Sequence, residues 1–330
     1  MCSSDLAYCA LKLCGFEPGD PRMARLRERV LELGGCQAAN AYTKIHLSLF
    51  GLYPREHVPT VPPELVLAGN LIYGMSAWVR AILVPLSIVQ ALGRSRPAPD
   101  GFSLDELFVP GANPGFQRRG GPFTWGRFFL AGDRLLKAWE ERGPGRLRRH
   151  ALRKAEQWLL RRTRYSNGLG AIFPSMMYAV MALDALGYAA DHPDRIEAES
   201  QLEKLVSCSG GRFRIQPCLS PVRDTATAAF SLGEAGASPS ALRRAADWLI
   251  RREVRRKGDW AVWRPGLEPS GWYFEFANEF YPGIDDTALV LLALGHGRAS
   301  DRARQRVCEA RALNWLVHMQ SRDGGWAAFD

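Results

Sequence analysis

The segments "RKAEQWLLRR", "RRAADWLIRR" and "ARALNWLVHMQ" repeat one pattern, Ala-x-x-Trp-Leu-aliphatic, and place Trp158, Trp248 and Trp315 at equivalent points of three amphipathic helices. A second helix type alternates with them. "YCALKLCG", "YAVMALDALG", "DTATAAFSLG" and "DTALVLLALG" are rich in small apolar residues and end in Gly15, Gly187, Gly233 and Gly295, each placed as a helix C-cap would be. A helix that is apolar on nearly every side must be buried, whereas the Trp-bearing helices carry Arg and Lys on one face and can meet water. Repeated pairs of one buried and one half-exposed helix stack most simply as concentric rings. The expectation is therefore an all-α chain of the α/α-barrel kind, with the "DTA" helices inside and the "WL" helices outside.

With 330 residues, the chain is long enough for two such domains. Its seven cysteines are an odd number without a C-x-x-C pair, which argues against a disulfide framework and against a structural zinc site. Lys and Arg number 43 against 34 Asp and Glu, which favours an anionic partner. Nucleic acid is the weaker choice, because no zinc-finger, helix-turn-helix or RNP-like pattern accompanies the charge. The apolar stretch "AWVRAILVPLSIV" is interrupted by Arg80 and Pro85 and is too short to cross a bilayer, so a membrane would be met at its surface. The opening "MCSSDL" looks like neither a signal peptide nor a helix start, and residues 1–6 are set aside as an artefactual leader. The final "GGWAAFD" stops inside a motif, so the chain reads as a fragment lacking both ends.

Two stretches carry chemistry. In "YPGIDDTALVLLAL" the adjacent Asp285 and Asp286 precede an apolar run, and helix capping is the simplest reason for an acid there. "SPVRDTATAAF" begins a similar helix with Asp224 alone, so the second acid needs a further reason. Two carboxyls close together in a dry cavity cannot both ionise cheaply; one keeps its proton and becomes an available acid, as a weak base such as an alkene requires. Protonating an alkene makes a carbocation, and the nearby "GWYFEF" offers Trp272, Tyr273, Phe274 and Phe276, whose faces attract cations. Ordinary core packing is the competing reading of these rings. In "FTWGRFFLAGDRLLKAWEE", aromatic and basic residues interleave; the pattern fits a core-facing surface helix and also an interfacial one.

The stretches "QSRDGGW" and "YPGIDDTA" resemble the QW repeat and the Asp-x-Asp-Asp-Thr-Ala acid motif of squalene-hopene cyclases, the class II triterpene cyclases. "VPTVPPELVL", "SAWVRAILVPLSIV", "QPCLSPVRDT" and "GDWAVWRPGLEPSGWYFEF" match that family in order and approximate spacing. The resemblance implies two α/α-barrel domains, both incomplete here: residues 7–188 as the first, with the membrane-binding helix, and 189–330 as the opening part of the catalytic one. It implies protonation-initiated cyclisation of squalene or a related polyprenoid to a hopanoid-type triterpene, with no metal or organic cofactor. The implied catalytic residues are Asp285, matching the family's proton donor, and Asp286. The implied substrate-binding residues are Trp78, Phe274, Asp224, Pro174 and Phe329. Implied partners are the polyprene and a membrane surface met through Phe123–Trp139, peripherally at the cytoplasmic face; no nucleic acid is expected, and a homodimer stays open.

The chain departs from the pattern at Gly283, where the motif's first aspartate stands, and at Arg223, in place of a pocket tryptophan. A cation there would repel a carbocation unless it turns away. Leu169 replaces a QW tryptophan and Phe173 an access-channel glutamine. Alternatives are an inactive or lipid-binding relative and, less favoured, an α/α-barrel glycosidase, which would need two acids on separated loops and a more polar lining.

Overall fold

In the computed structural model, residues 4–93, 97–115 and 125–327 are described, the side chain of Trp125 excepted. Twelve α-helices and one β-hairpin are found among them, so the fold class is all-α as the repeats require. The chain divides into two compact units, Met1–Pro62 with Gln90–Pro144, and Pro63–Val89 with Gly145–Asp330.

The first unit holds α1 (Ser4–Leu13), α2 (Pro21–Glu32), α3 (Ala41–Leu49) and α5 (Trp125–Arg142). Ser4–Leu6, set aside in the sequence reading, form the first turn of α1, where buried Asp5 accepts a hydrogen bond from the Thr43 hydroxyl at 3.4 Å. The polar face of α5 is tied down through Asp133, which accepts the Thr60 N–H at 2.8 Å, and through Glu140, which meets Arg55 at 3.2 Å. Its apolar side chains face the other way: Phe128 and Phe129 are each 65% exposed and Leu135 is 74% exposed.

The second unit holds most of α4 (Ala77–Leu92), then α6 (Gly145–Arg164), α7 (Phe173–Leu186), α8 (Pro193–Glu203), α9 (Pro221–Glu234), α10 (Pro239–Ile250), α11 (Ile284–His296) and α12 (Arg302–His318). The antiparallel hairpin β1 (Val206–Ser209) and β2 (Arg212–Ile215) turns through Gly210 and Gly211, both with positive φ. Helix α9 packs along α11, α10 packs on α9, and α12 packs on α11 and α10. Like helices are thus neighbours, inner beside inner and outer beside outer, which is an arc of the expected barrel. Arg223 at the head of α9 meets the head of α11, and Gly233 near its end meets His296, so the two inner helices run parallel. Their shared core includes Val222, Ala226, Ala229, Val290, Ala293 and Leu294.

Two details correct the sequence reading. Gly15 and Gly187 do follow their helices in the left-handed conformation, but Gly233 and Gly295 lie inside α9 and α11. A Cβ on Gly233 would lie 2.4 Å from the His296 ring, so this glycine serves close helix approach, not chain reversal. Nor is α9 buried all round: Val222, Ala226 and Ala229 face the core, while Leu232 is 45% exposed. The "QSRDGGW" turn is fastened by Gln320 Nε2 to the Gly324 carbonyl at 2.7 Å and by Trp326 Nε1 to the Leu316 carbonyl at 2.8 Å.

A paired substitution checks the account of α9 and α11. Gly233→Ala should destabilise the chain by about 1–3 kcal/mol through overpacking. Gly295→Ala meets nothing within 4 Å and should stabilise by up to about 1 kcal/mol, as expected for a helical glycine given a side chain. Urea unfolding midpoints read both changes.

Candidate active site

Helix α11 begins after Tyr281-Pro282-Gly283, a segment fixed from two sides. The Gly283 N–H donates to the Trp272 carbonyl at 2.8 Å, and the Trp272 N–H donates to the Thr287 hydroxyl at 2.9 Å. Gly271 makes this approach feasible: its φ is +100°, and a Cβ there would stand 2.8 Å from the Thr287 hydroxyl. The aromatic stretch is thereby clipped onto the first turn of α11. Gly283 is the N-cap, with no side-chain cap, and both aspartates lie inside the helix's first turn. The capping reading is therefore displaced, although negative charge in a first turn still suits the helix dipole.

What the aspartates do bind is Arg223. Its Nη2 donates to Asp285 Oδ2 at 2.7 Å and its Nη1 to Asp286 Oδ1 at 3.0 Å. The cation feared for a reaction path is thus turned onto the acid pair. The two oxygens that Arg223 leaves are Asp285 Oδ1 and Asp286 Oδ2, and they converge over the bare Cα of Gly283. A Cβ at Gly283 would lie 2.5 Å from the Asp286 oxygen and 3.4 Å from the Asp285 oxygen. Asp285 Oδ1 is buried without a hydrogen-bond partner among the described residues. Asp286 is 1% exposed, and its carboxyl is pushed up to about 7, first by burial and then by the charge of Asp285, with Arg223 opposing both.

Trp78 from α4 and Phe274 from the aromatic stretch meet with ring centroids 5.4 Å apart. Together with Glu275, Tyr281, Pro282, Gly283 and Asp286 they line a cavity of about 10 Å³, the space of a single water. Behind the rings lies apolar packing from Ala171, Ile172, Ile82 and Cys218. Tyr281 is held by Arg162 Nε at 2.8 Å; Arg162 in turn meets buried Asp259 at 2.5 Å, and Arg80 approaches Asp259 at 3.5 Å. Of the residues picked from sequence, Asp285, Asp286, Trp78 and Phe274 are brought together around the head of α11. Asp224 is exposed and accepts a hydrogen bond from the Ser220 hydroxyl at 3.1 Å. Pro174 sits in the first turn of α7, outside the cavity lining, and Phe329 lies outside the described residues.

The sequence reading missed Glu275, which it passed over as the polar member of "GWYFEF". This carboxyl is 2% exposed and pushed up to about 7, chiefly by burial, with Asn278 opposing and Asp286 adding to the shift. A lone acid within an aromatic run was the available signal. Among the described residues, no cluster of His, Cys, Asp and Glu is arranged to hold a metal ion. The arrangement offers a carboxyl proton retained near neutral pH beside two aromatic faces.

The squalene-hopene cyclase N-terminal domain profile matches residues 2–209, and the C-terminal domain profile matches residues 219–330. The squalene--hopene cyclase of Zymomonas mobilis is 41% identical across 98% of this chain and 51% of its own length. That of Alicyclobacillus acidocaldarius is 37% identical across 98% of the chain and 52% of its own length. That of Bradyrhizobium diazoefficiens is 35% identical across 100% and 52% respectively. The chain spans about half the length of the curated relatives it matches.

The raised Asp286 carboxyl makes stability depend on pH in a definite direction. Because the folded state holds this proton more tightly than the unfolded chain, its contribution is fully present below the ordinary value of 3.8 and is lost as pH climbs to about 7. Asp286→Asn should remove a falling component on the order of a few kcal/mol across that window. Urea unfolding from pH 4 to 8 measures it, and parallel curves for the two proteins would contradict the burial account.

Proposed function

Starting from the fact that the chain belongs to the squalene-hopene cyclase family, we propose that it carries the acid end of a class II terpene cyclase acting on squalene or a related polyprenoid. The observation that carries the reading is the approach of Asp285 Oδ1 and Asp286 Oδ2, the oxygens that Arg223 does not bind, to the bare Cα of Gly283, with Asp286 lining one cavity with Trp78 and Phe274. The pair holds one proton. Burial of Asp286 keeps that proton on the pair near neutrality, and Asp285 hands it on through Oδ1, which has no hydrogen-bond partner among the described residues.

In the first step the O–H bond of the carboxyl breaks, and the π electrons of a terminal alkene form the new C–H bond. The carbon left positive is attacked by the next alkene in the folded chain, and the cascade ends by proton loss or by capture of water. Aromatic faces lower the cation's energy by about 0.5–2 kcal/mol each without offering a nucleophile that would trap it. Arg223 binds the other oxygen of each carboxyl and balances the charge left when the proton departs. A glycosidase reading gains nothing from this geometry, because the two acids are consecutive residues of one helical turn.

We further propose residues 7–188 and 189–330 as the two family domains, and a peripheral membrane attachment at the cytoplasmic face through α5. No helix among the described residues is long and apolar enough to cross a membrane. The exposed Phe128, Phe129 and Leu135 supply the apolar face that an interfacial helix inserts, and the exposed Arg127 and Arg134 supply cations at headgroup depth.

In a chimera completed with the remaining half of the Zymomonas relative, Asp285→Asn should lower squalene cyclisation by a factor on the order of 10² to 10⁴ or more, with folding intact. Undiminished product by gas chromatography would reject the donor assignment. For the membrane, Phe128→Asp with Phe129→Asp should shift the protein from the pellet to the supernatant when sedimented with anionic liposomes. Equal sedimentation of the variant and the parent would reject α5 as the attachment helix.

A further inference from the structure

Glu275 is a buried carboxyl that the reaction above does not use. Its Oε1 accepts a hydrogen bond from Asn278 Nδ2 at 2.8 Å, and among the described residues it has no ion pair. A glutamine would fill the same space and keep that hydrogen bond, so what the glutamate adds is an ionisable proton. An unpaired carboxylate in such surroundings is costly, and the group avoids the cost by staying protonated.

The segment carrying Glu275 is fixed by an unusual neighbour. Four consecutive residues, Gly168, Leu169, Gly170 and Ala171, have positive φ of 75°, 57°, 86° and 48°. For Leu169 and Ala171 this conformation costs roughly 1–2 kcal/mol each. The strain is held by hydrogen bonds from the Ser166 hydroxyl, which accepts the Leu169 N–H at 3.0 Å, and from the Leu219 N–H, which donates to the Ala171 carbonyl at 3.3 Å. Asn167 N–H donates to the Ala277 carbonyl at 3.0 Å, and Ser166 bridges to Asn278, so the strained loop is bolted to the residues flanking Glu275. A Cβ on Gly170 would sit 4.0 Å from Glu275 Oε1. The loop therefore fixes one wall of the place where this carboxyl sits, and Asp286 lines the same cavity.

We infer that Glu275 is a positioning residue of the acid pair: it is coupled to Asp286 across their common cavity, and its charge sets how firmly Asp286 keeps its proton. The inference rests on the acid-pair reading and deepens it. The other titratable groups near the cavity are Asp285 on α11, Arg223 from α9, and Tyr273 and Tyr281 from the aromatic stretch. Asp286 and Glu275 then share the site with the charges of Asp285 and Arg223, so loss of a proton from either of the first two raises the affinity of the other for its own.

Carboxyl ¹³C NMR titration of the 330-residue chain tests this without substrate. Glu275→Gln should move the Asp286 midpoint toward acid by about half a pH unit or more, and Asp286→Asn should move the Glu275 midpoint in the same direction by a similar amount, since coupling is reciprocal. The second variant leaves Glu275 in place and keeps the test decisive if the first fails to fold. Midpoints that stay put in both directions overturn the inference. In the completed chimera, Glu275→Gln should shift the pH profile of cyclisation toward acid, an effect that a merely structural role would not produce. Absence of cyclisation by the parent chimera would count against the cyclase reading and leave the titration result standing.

Discussion

One guanidinium set between a buried carboxyl and a half-buried one governs the rest of the site. Arg223 can balance the charge of one carboxylate, and Asp286, 1% exposed, has little water to stabilise a second. The pair is therefore most stable with one proton still on it, which is the state an acid catalyst must occupy before it acts. The fold supplies this by aligning α9 with α11, so that the head of one helix delivers the cation to the head of the other. Gly233, which lets the His296 ring lie close, and Gly271, which lets the Trp272 peptide reach Thr287, serve that alignment from opposite ends of α11.

Gly283 and Arg223 were read from sequence as two separate departures from the family pattern, and in space they form one arrangement. The bare Cα of Gly283 leaves room for the two oxygens that Arg223 does not bind. Its φ of −85° would accept other residues, so the restriction is one of space and not of backbone conformation. An aspartate placed there would have to displace the Asp286 carboxyl or share its proton.

Much of the fold was legible because helical repetition is a periodic signal. The inner and outer helices, the placing of Trp158, Trp248 and Trp315 on helices of one kind and the all-α class follow from it. Two of the four glycines were misplaced, since a glycine that ends a helix and one that admits a neighbour look alike until the neighbour is known. In the site, Asp285, Asp286, Trp78 and Phe274 were legible through motif and order. The contact of Arg223 with the acids was not, because it joins residues more than sixty positions apart in sequence, and neither was the burial of Glu275, hidden among aromatics whose rings drew the reading. The left-handed run through Leu169 and Ala171 leaves no mark in residue type at those two positions.

The central claim is that a carboxyl proton held at the head of α11 starts a cyclisation, and the fate of that proton can be followed. A completed chimera incubated with squalene in deuterated buffer should give a polycyclic product carrying one deuterium at the carbon first protonated, because the acid pair exchanges with solvent between turnovers. The label should disappear together with the product when Asp285 is replaced by Asn. A polycyclic product formed without deuterium, or formed at the same rate in the Asp285→Asn protein, would contradict the account.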